Sequence, residues 1–293
     1  TLCFPTAFTG MTSAPERGAP TVSRLCSLTE VVTYQGPKHT DKVAVCGDLN
    51  MFVMNRGSSF YVFGLPLSDE GKEGGRPPEA PHSVFKLDLP AVGGRVVVSS
   101  MVFTERYGTV DCRLLLSLTF LPLIFVVDVK LQRVEVVFGE DAWAPAGDVT
   151  EPWMSVALAT KQDKVAHLRA SCEVCTRRSS PRPTVVDLFH MREGRWNYVR
   201  SLKDPAHCQW SWGIFFAPDR GHLSIIGGGR AKGCGTVVTT VSLATGEMKG
   251  LPRTLSRVRT APVPNETGGW LCVQPRPCAV DPHLVVSDLD AKG

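Results

Sequence analysis

MSVALATKQDKVAHLRASCEVCTRRSSPRPTVVDLFHMREGRWNYVRSLK, residues 154–203, decides how the rest of the chain is read. An apolar run, MSVALAT, is followed by a polar turn, KQDK, and a second run, VAHLRA. A long irregular stretch, Cys172–Pro183, comes next. TVVDLFHM, a tight REG turn and RWNYVRSL complete the segment. The runs are short, rich in β-branched and aromatic residues and bounded by turn formers, which is the pattern of strands. The segment therefore predicts four strands joined by a tight turn, a long loop and a second tight turn.

The same order recurs along the chain. Met51–Met54, a turn at Asn55–Ser58, Ser59–Leu65, the polar loop Ser68–Pro81, His82–Leu89, a turn at Val92–Gly94 and Arg95–Ser99 form a first unit. Met101–Thr104, Asp111–Phe120, Ile124–Val129 and Arg133–Phe138 form a second, with a tight link at Leu121-Pro122. Gly213–Ala217, His222–Ile226, Thr236–Leu243 and Glu247–Leu251 form a fourth, and Arg259–Val263, Gly269–Val273 and His283–Leu289 a partial fifth. The first turns fall near Arg56, Tyr107, Gln162, Arg220 and Glu266, at spacings of 51, 55, 58 and 46 residues. A period of about 50 suits four-stranded propeller blades.

The expected fold is all-β: a β-propeller of about five four-stranded blades. The last unit lacks a strand, while Thr21–Leu28, Val31–Tyr34 and Lys42–Cys46 are spare. An N-terminal strand is expected to close the ring, which hides sheet edges. A pair of sandwiches or an irregular barrel is the alternative. Residues 1–24 are expected to be an irregular N-terminal segment and residues 25–293 a single propeller domain. The chain begins at Thr1 without an initiator Met, so a processed or truncated start is expected. Thr1–Arg24, rich in Ser, Thr and Pro, reads as the edge of a transit peptide, a surface tail or a linker.

Composition sets the function classes. The 293 residues are 43% hydrophobic and 20% charged, enough for a sizeable core. The 22 Pro and 27 Gly favour turns over long helices. The net charge of +4 is spread along the chain, a weak footprint for nucleic acid. Leu114–Val129, the longest apolar run, is broken by Pro122 and Asp128, so two buried strands are expected and no membrane span. Several of the 10 cysteines sit in apolar runs, among them Cys46, Cys112 and Cys272. Mostly reduced thiols are expected, which favours an intracellular over a secreted setting. Asn265-Glu266-Thr267 is a glycosylation sequon that matters only in the secretory case.

In the third unit, VVDLFHMREGRWNYVRSL resembles the second half of a kelch repeat, with Val185–Leu188, Gly194 and Trp196 in the matching places. In the fourth, LSIIGGG is similar to the kelch strand that ends in a Gly pair, here Gly227 and Gly228. FYVFG, Phe60–Gly64, is a weaker match with one Gly. The resemblance implies a propeller spanning about Met51–Leu289 and a protein-interaction platform. The Gly pair is expected to supply positive φ where the chain leaves the strand, and the Trp to cover the gap between blades. Some members of that family are enzymes, galactose oxidase among them. The copper ligands of that enzyme find no matching cluster among 4 Tyr and 7 His.

Candidate binding residues lie on loops and one strand. Cys172-x-x-Cys175 has the spacing of half a zinc site, with His167, His190, His207 and Cys208 as candidates for the other half. A redox couple and a plain surface pair are the other readings, and no metal or cofactor is assigned. Arg177, Arg178 and Arg182 form a small basic loop suited to an acidic partner surface or an RNA backbone. Trp210 and Trp212, at i and i+2 on a strand, are expected to share a face, lining a groove or packing on the next blade. Gly227–Gly233 lacks the Ser or Thr of a phosphate loop. Asp48, Asp111, Asp163 and Asp219 lie near strand ends without a glycosidase signature.

These features point to a non-catalytic interaction or scaffold subunit that binds other proteins through propeller-face loops. Ser68–Pro81 and Cys172–Pro183 are expected to project from the same side. The alternatives are a secreted or surface propeller that binds or hydrolyses glycans, and an accessory subunit of a large mitochondrial or ribonucleoprotein assembly.

Overall fold

The computed structural model describes residues 42–64, 81–108, 111–139, 153–171, 184–203, 210–217, 219, 221–228 and 236–247, and the backbone of four strands beyond them. Among these residues there is no helix, so none is long and apolar enough to cross a membrane. The strands form consecutive antiparallel sheets, each a meander in chain order. The first is β1 (Lys42–Cys46), β2 (Met51–Arg56), β3 (Ser59–Gly64) and β4 (Ser83–Lys86). The second is β5 (Val98–Phe103), β6 (Leu114–Leu118), β7 (Leu121–Asp128) and β8 (Arg133–Phe138). The third is β9 (Trp153–Lys161), β10 (Lys164–Ser171), β11 (Thr184–Arg192) and β12 (Arg195–Lys203). The fourth is β13 (Trp210–Phe216), β14 (His222–Gly228), β15 (Thr236–Ser242) and β16 (Arg253–Leu255). β17 (Val263–Pro264), β18 (Trp270–Arg276) and β19 (His283–Leu289) form a three-stranded sheet.

The first four sheets stack face to face, which explains why their middle strands are mostly apolar on both faces. Successive side chains of a strand point to opposite faces. In β6, Leu114, Leu116 and Leu118 join a core shared with the first sheet, built on Val53, Phe60 and Val62. Leu115 points the other way, into a core shared with Leu158, Val165 and Phe189 of the third sheet. β10 repeats the division: Val165 faces the second sheet, while Ala166 and Leu168 face Leu223 and Ile225 of the fourth. Each such aliphatic side chain contributes about 1.5–3 kcal/mol when fully buried.

First strands pack against first strands, β1 on β5, β5 on β9 and β9 on β13. Cross-sheet bonds show that β5 and β9 run parallel. Ser100 Oγ accepts from the Leu158 amide at 3.0 Å, the Phe103 carbonyl accepts from Thr160 Oγ1 at 2.7 Å, and Glu105 accepts from the Gln162 amide at 3.1 Å. Four-stranded meanders side by side, inner strands adjacent and both faces covered, make the fold propeller-like.

Several strand expectations shift in detail. Arg95–Ser99 is not the last strand of the first unit. Val98–Phe103 is one strand, β5, and opens the second sheet. The first sheet instead begins with β1, one of the strands counted as spare. A bridge between Val92 and Arg95, with Gly93 at φ 60° and Gly94 at φ 75°, turns the chain just before β5. The turn between β6 and β7 is Thr119-Phe120, and Pro122 lies within β7. The last strand of the fourth sheet is Arg253–Leu255, beyond the expected Glu247–Leu251. Gly227 and Gly228 are buried strand residues paired with Val237 and Thr236, not an exit turn. Positive φ falls instead on turn residues such as Gly194, at 74°. Trp196 does bridge sheets: its ring stacks on Phe138 of β8 at 5.7 Å.

Candidate functional site

A meander sends its connections alternately to two ends of the sheet. The upper end, where the first strands begin, carries the second-to-third connections and the links between sheets. The lower end carries the first-to-second and third-to-fourth connections. Ser171 and Thr184, which bracket Cys172–Pro183, end β10 and start β11, so they stand at the upper end. Gly64 and Ser83 bracket the Ser68–Pro81 region across β3 and β4, so they stand at the lower end. The expectation that both loops leave one side is overturned. Its cause is the one-strand error in the first unit: without β1, a third-to-fourth loop is counted as a second-to-third loop.

Cys172, Cys175, Arg177, Arg178 and Arg182 lie outside the described residues, as do His207 and Cys208. Trp210 and Trp212 are on β13, where the described backbone pairs Trp210 with Gly228 and Ser211 with Gly227. The register shifts between Ser211 and Gly213, which puts Trp212 at a β-bulge. Among the described residues no group of three or more His, Cys, Asp or Glu side chains is arranged to hold a metal ion.

The upper end holds a cavity of about 410 Å³ that the sequence did not disclose. Lys42, Arg95, Val96, Val97, Val98, Ser99, Thr119, Ser155 and Val156 line it. These are the starts of β1, β5 and β9 together with one upper turn. Hydrogen bonds between elements hold the lining in place. The Thr119 amide donates to the Val97 carbonyl at 2.9 Å, and the Ser155 amide to the Thr119 carbonyl at 3.0 Å. The Lys42 amide donates to Oδ1 of Asn55 at 3.0 Å, and Asn55 is fully buried.

Ser155 is the most chemically suggestive residue of the lining. Its Oγ lies 2.8 Å from His167 Nε2 and donates to the Leu121 carbonyl at 3.1 Å. A serine beside an imidazole is the geometry of an activated nucleophile. The surroundings argue otherwise. One hydroxyl proton serves one acceptor, so both bonds form together when His167 donates to Ser155 and Ser155 donates to Leu121. Burial, and next the positive charge of Arg169, hold the His167 pKa down at about 3. So weak a base takes little of a serine proton at neutral pH. Asp187, the cross-strand neighbour of His167, is already committed. Arg169 grips it with Nε at 2.5 Å and a second nitrogen at 3.1 Å, and Ser201 donates to it at 2.6 Å. The three residues form a buried brace of the third sheet.

The lower end carries acids among its cations. Asp48, Asp111, Asp163 and Asp219 occupy the first-to-second connections of four successive sheets. Each has a local partner. Asp163 lies 2.6 Å from His190 Nε2 and Asp219 2.6 Å from His222 Nδ1. Asp111 is 3.9 Å from both Arg106 and Lys130, and Asp48 accepts from the Cys112 thiol at 3.5 Å. Burial, then the neighbouring Cys46, push the Cys112 thiol up to about 12. Its low-reactivity thiol form is thereby favoured.

No protein-family model matches the chain, and no curated protein matches it. Solved structures resemble it. Hydrazine synthase of Kuenenia stuttgartiensis is 13% identical, with a TM-score of 0.50 over 83% of this chain and 60% of that one. The likeness is one of fold, and the chain spans about 60% of that protein's length. A luciferin-regenerating enzyme is 10% identical with a TM-score of 0.46, covering 93% and 80% of the two chains. The Dos1 propeller is 13% identical with a TM-score of 0.43, covering 81% and 55%.

Proposed function

We propose that the chain is a non-catalytic interaction scaffold that binds a partner protein at the upper end of the propeller. The observation that carries this reading is the character of that end. Lys42 and Arg95 line its cavity without an ion-pair partner among the described residues. The one nucleophile-like pair beside them, Ser155 and His167, is braced for structure rather than poised for reaction. The Cys172–Pro183 segment, with Arg177, Arg178 and Arg182, is anchored at the same end and adds positive charge. Such a surface suits an acidic face of another protein.

The finer architectural reading goes with it. The sheets are taken as five blades of a degenerate kelch-like ring, and a strand from the segment before Lys42 completes the three-stranded last blade. The missing strand of that sheet and the Trp196–Phe138 stack between neighbouring sheets support this. Cys46 and Cys112 are free, buried thiols, which agrees with an intracellular setting. Glycan hydrolysis has less support, because the lining of the upper cavity contains no carboxylate among the described residues.

The test compares two loop replacements in the full chain. One exchanges Cys172–Pro183 for a short Gly/Ser connection, and the other exchanges residues 68–80 at the lower end. Proteins that co-purify with the wild type are quantified by mass spectrometry, with unfolding curves as the fold control. Loss of a stoichiometric partner from the first variant and its retention by the second is the expected result. Equal retention by both, or loss from the lower-end variant alone, refutes the reading.

A further inference from the structure

We infer that the upper cavity binds an oxyanion, a carboxylate or phosphate group carried by a small organic molecule or by an acidic segment of a partner. The proposal deepens the scaffold reading at the same site, but holds for a free anion even where no protein docks. The lining combines two cations, one hydroxyl with no internal partner among the described residues, and valines. Among the described residues neither Lys42 nor Arg95 has an ion pair, and none that lines the cavity is an acid. Ser99 and Ser155 spend their hydroxyl protons internally: Ser99 Oγ is 3.0 Å from the Ser117 carbonyl and 2.8 Å from Ser117 Oγ, and Ser155 donates to Leu121. Thr119 has no such bond among the described residues, so its hydroxyl is left to donate to a ligand. Of the four valines, Val98 and Val96 belong to or pack on the core shared with the first sheet and Val156 packs on the core between the third and fourth, so Val97 is the exposed one. A volume of about 300–1,000 Å³ with a few convergent polar groups is enough for a small ligand.

Two further observations favour an anion. The backbone that presents each cation is fixed before any ligand arrives. Arg95 closes a two-residue turn, with its amide 3.2 Å from the Val92 carbonyl and its carbonyl 3.0 Å from the Val92 amide. Lys42 is held through its amide by Asn55. Less ordering then remains to oppose binding. The described residues that line the cavity also include no carboxylate, whereas each acid of the first-to-second connections at the lower end has a local partner. An approaching anion therefore meets two cations and no described lining carboxylate.

The experiment titrates the full chain at low ionic strength with inorganic phosphate, with citrate and with an octaglutamate peptide, followed by calorimetry. Lys42→Ala, Arg95→Ala and the double variant are compared with wild type. Lys130→Ala, at an exposed lower-end cation, is the control. Lys42 and Arg95 are exposed, and alanine keeps both backbone bonds, so thermal unfolding should match wild type. The expected result is one saturable site for at least one probe. Each single substitution should weaken it about tenfold or more, the loss of a charged hydrogen bond, and Lys130→Ala should leave it unchanged. Binding of phosphate or citrate identifies a free small anion as the ligand. Binding of the peptide alone identifies a protein-borne carboxylate. No saturable binding by any probe, or equal binding by the double variant, overturns the proposal. Anion binding that survives when the Cys172–Pro183 replacement fails to affect any partner would refute the scaffold reading and leave the anion site standing.

Discussion

His167 should make the folded state sensitive to mild acid. The ring is fully buried and its pKa is held at about 3, against an ordinary 6.5. The sign follows from linkage. Above pH 6.5 neither the folded nor the unfolded chain binds a proton at this site, and the stability it permits is fully present. As pH falls below 6.5 the unfolded chain takes up a proton that the folded chain refuses, and stability falls until the folded ring also protonates near pH 3. With these two values, the loss between pH 7 and pH 5 is about 2 kcal/mol. Gln at this position can still donate to Ser155 Oγ and does not titrate. Urea unfolding of wild type and His167→Gln at pH 7, 6 and 5 isolates the effect, because all other titrating groups cancel in the difference. The gap between the two curves should change by about 2 kcal/mol in favour of the variant as pH falls. Parallel pH dependence in the two proteins would refute the claim that His167 is buried and neutral.

Two further outcomes test the packing. Arg169→Met strands the fully buried Asp187 carboxylate, and urea unfolding should show a loss of about 3–5 kcal/mol. Adding Asp187→Leu should recover most of that loss, and a double variant as unstable as the single would count against the pairing. Cys112, buried beside Cys46 with its pKa at about 12, should resist iodoacetamide at pH 8 in the native protein and react once urea unfolds it. Rapid native labelling at Cys112 in peptide mass spectra would contradict its placement.

The strand pattern was legible because sheets buried on both faces need mostly apolar runs. Leu114–Leu118 and Val165–Leu168 are such runs, interrupted only by Ser117 and His167, and both form second strands between two neighbouring cores. The four strands within residues 154–203 were legible, since their two tight turns carry strong local signals at Gln162-Asp163 and Glu193-Gly194. The phase of the first unit was not. KVAVC, Lys42–Cys46, reads as a strand anywhere, and only pairing with Met51–Asn55 shows that it begins the sheet. The cavity was illegible for a related reason. Lys42, Arg95, Thr119 and Ser155 share no local motif and meet only because four separate segments start or turn at one end of the fold. The Ser155–His167 contact spans strands in the same way. Cysteine spacing and basic loops, the signals that single residues do carry, drew attention to Cys172–Pro183.

The repeat itself sorts the charges. A first turn favours Asp, whose carboxylate can accept from nearby amides, as Asp219 does from Gly221 at 3.0 Å. Repeating the turn in each sheet therefore repeats an acid at the lower end, and a neighbouring His, Arg, Lys or thiol answers it locally. The links between sheets obey no such rule. They differ in length and composition, so a residue such as Arg95 is free of the demands of the repeat. Its turn is fixed by Gly93 and Gly94, yet its guanidinium is paired with nothing among the described residues. Exposed charges contribute little to folding, so stability does not call for a cation at this position. That cation, rather than any single motif, is what supports the binding site proposed at the upper end.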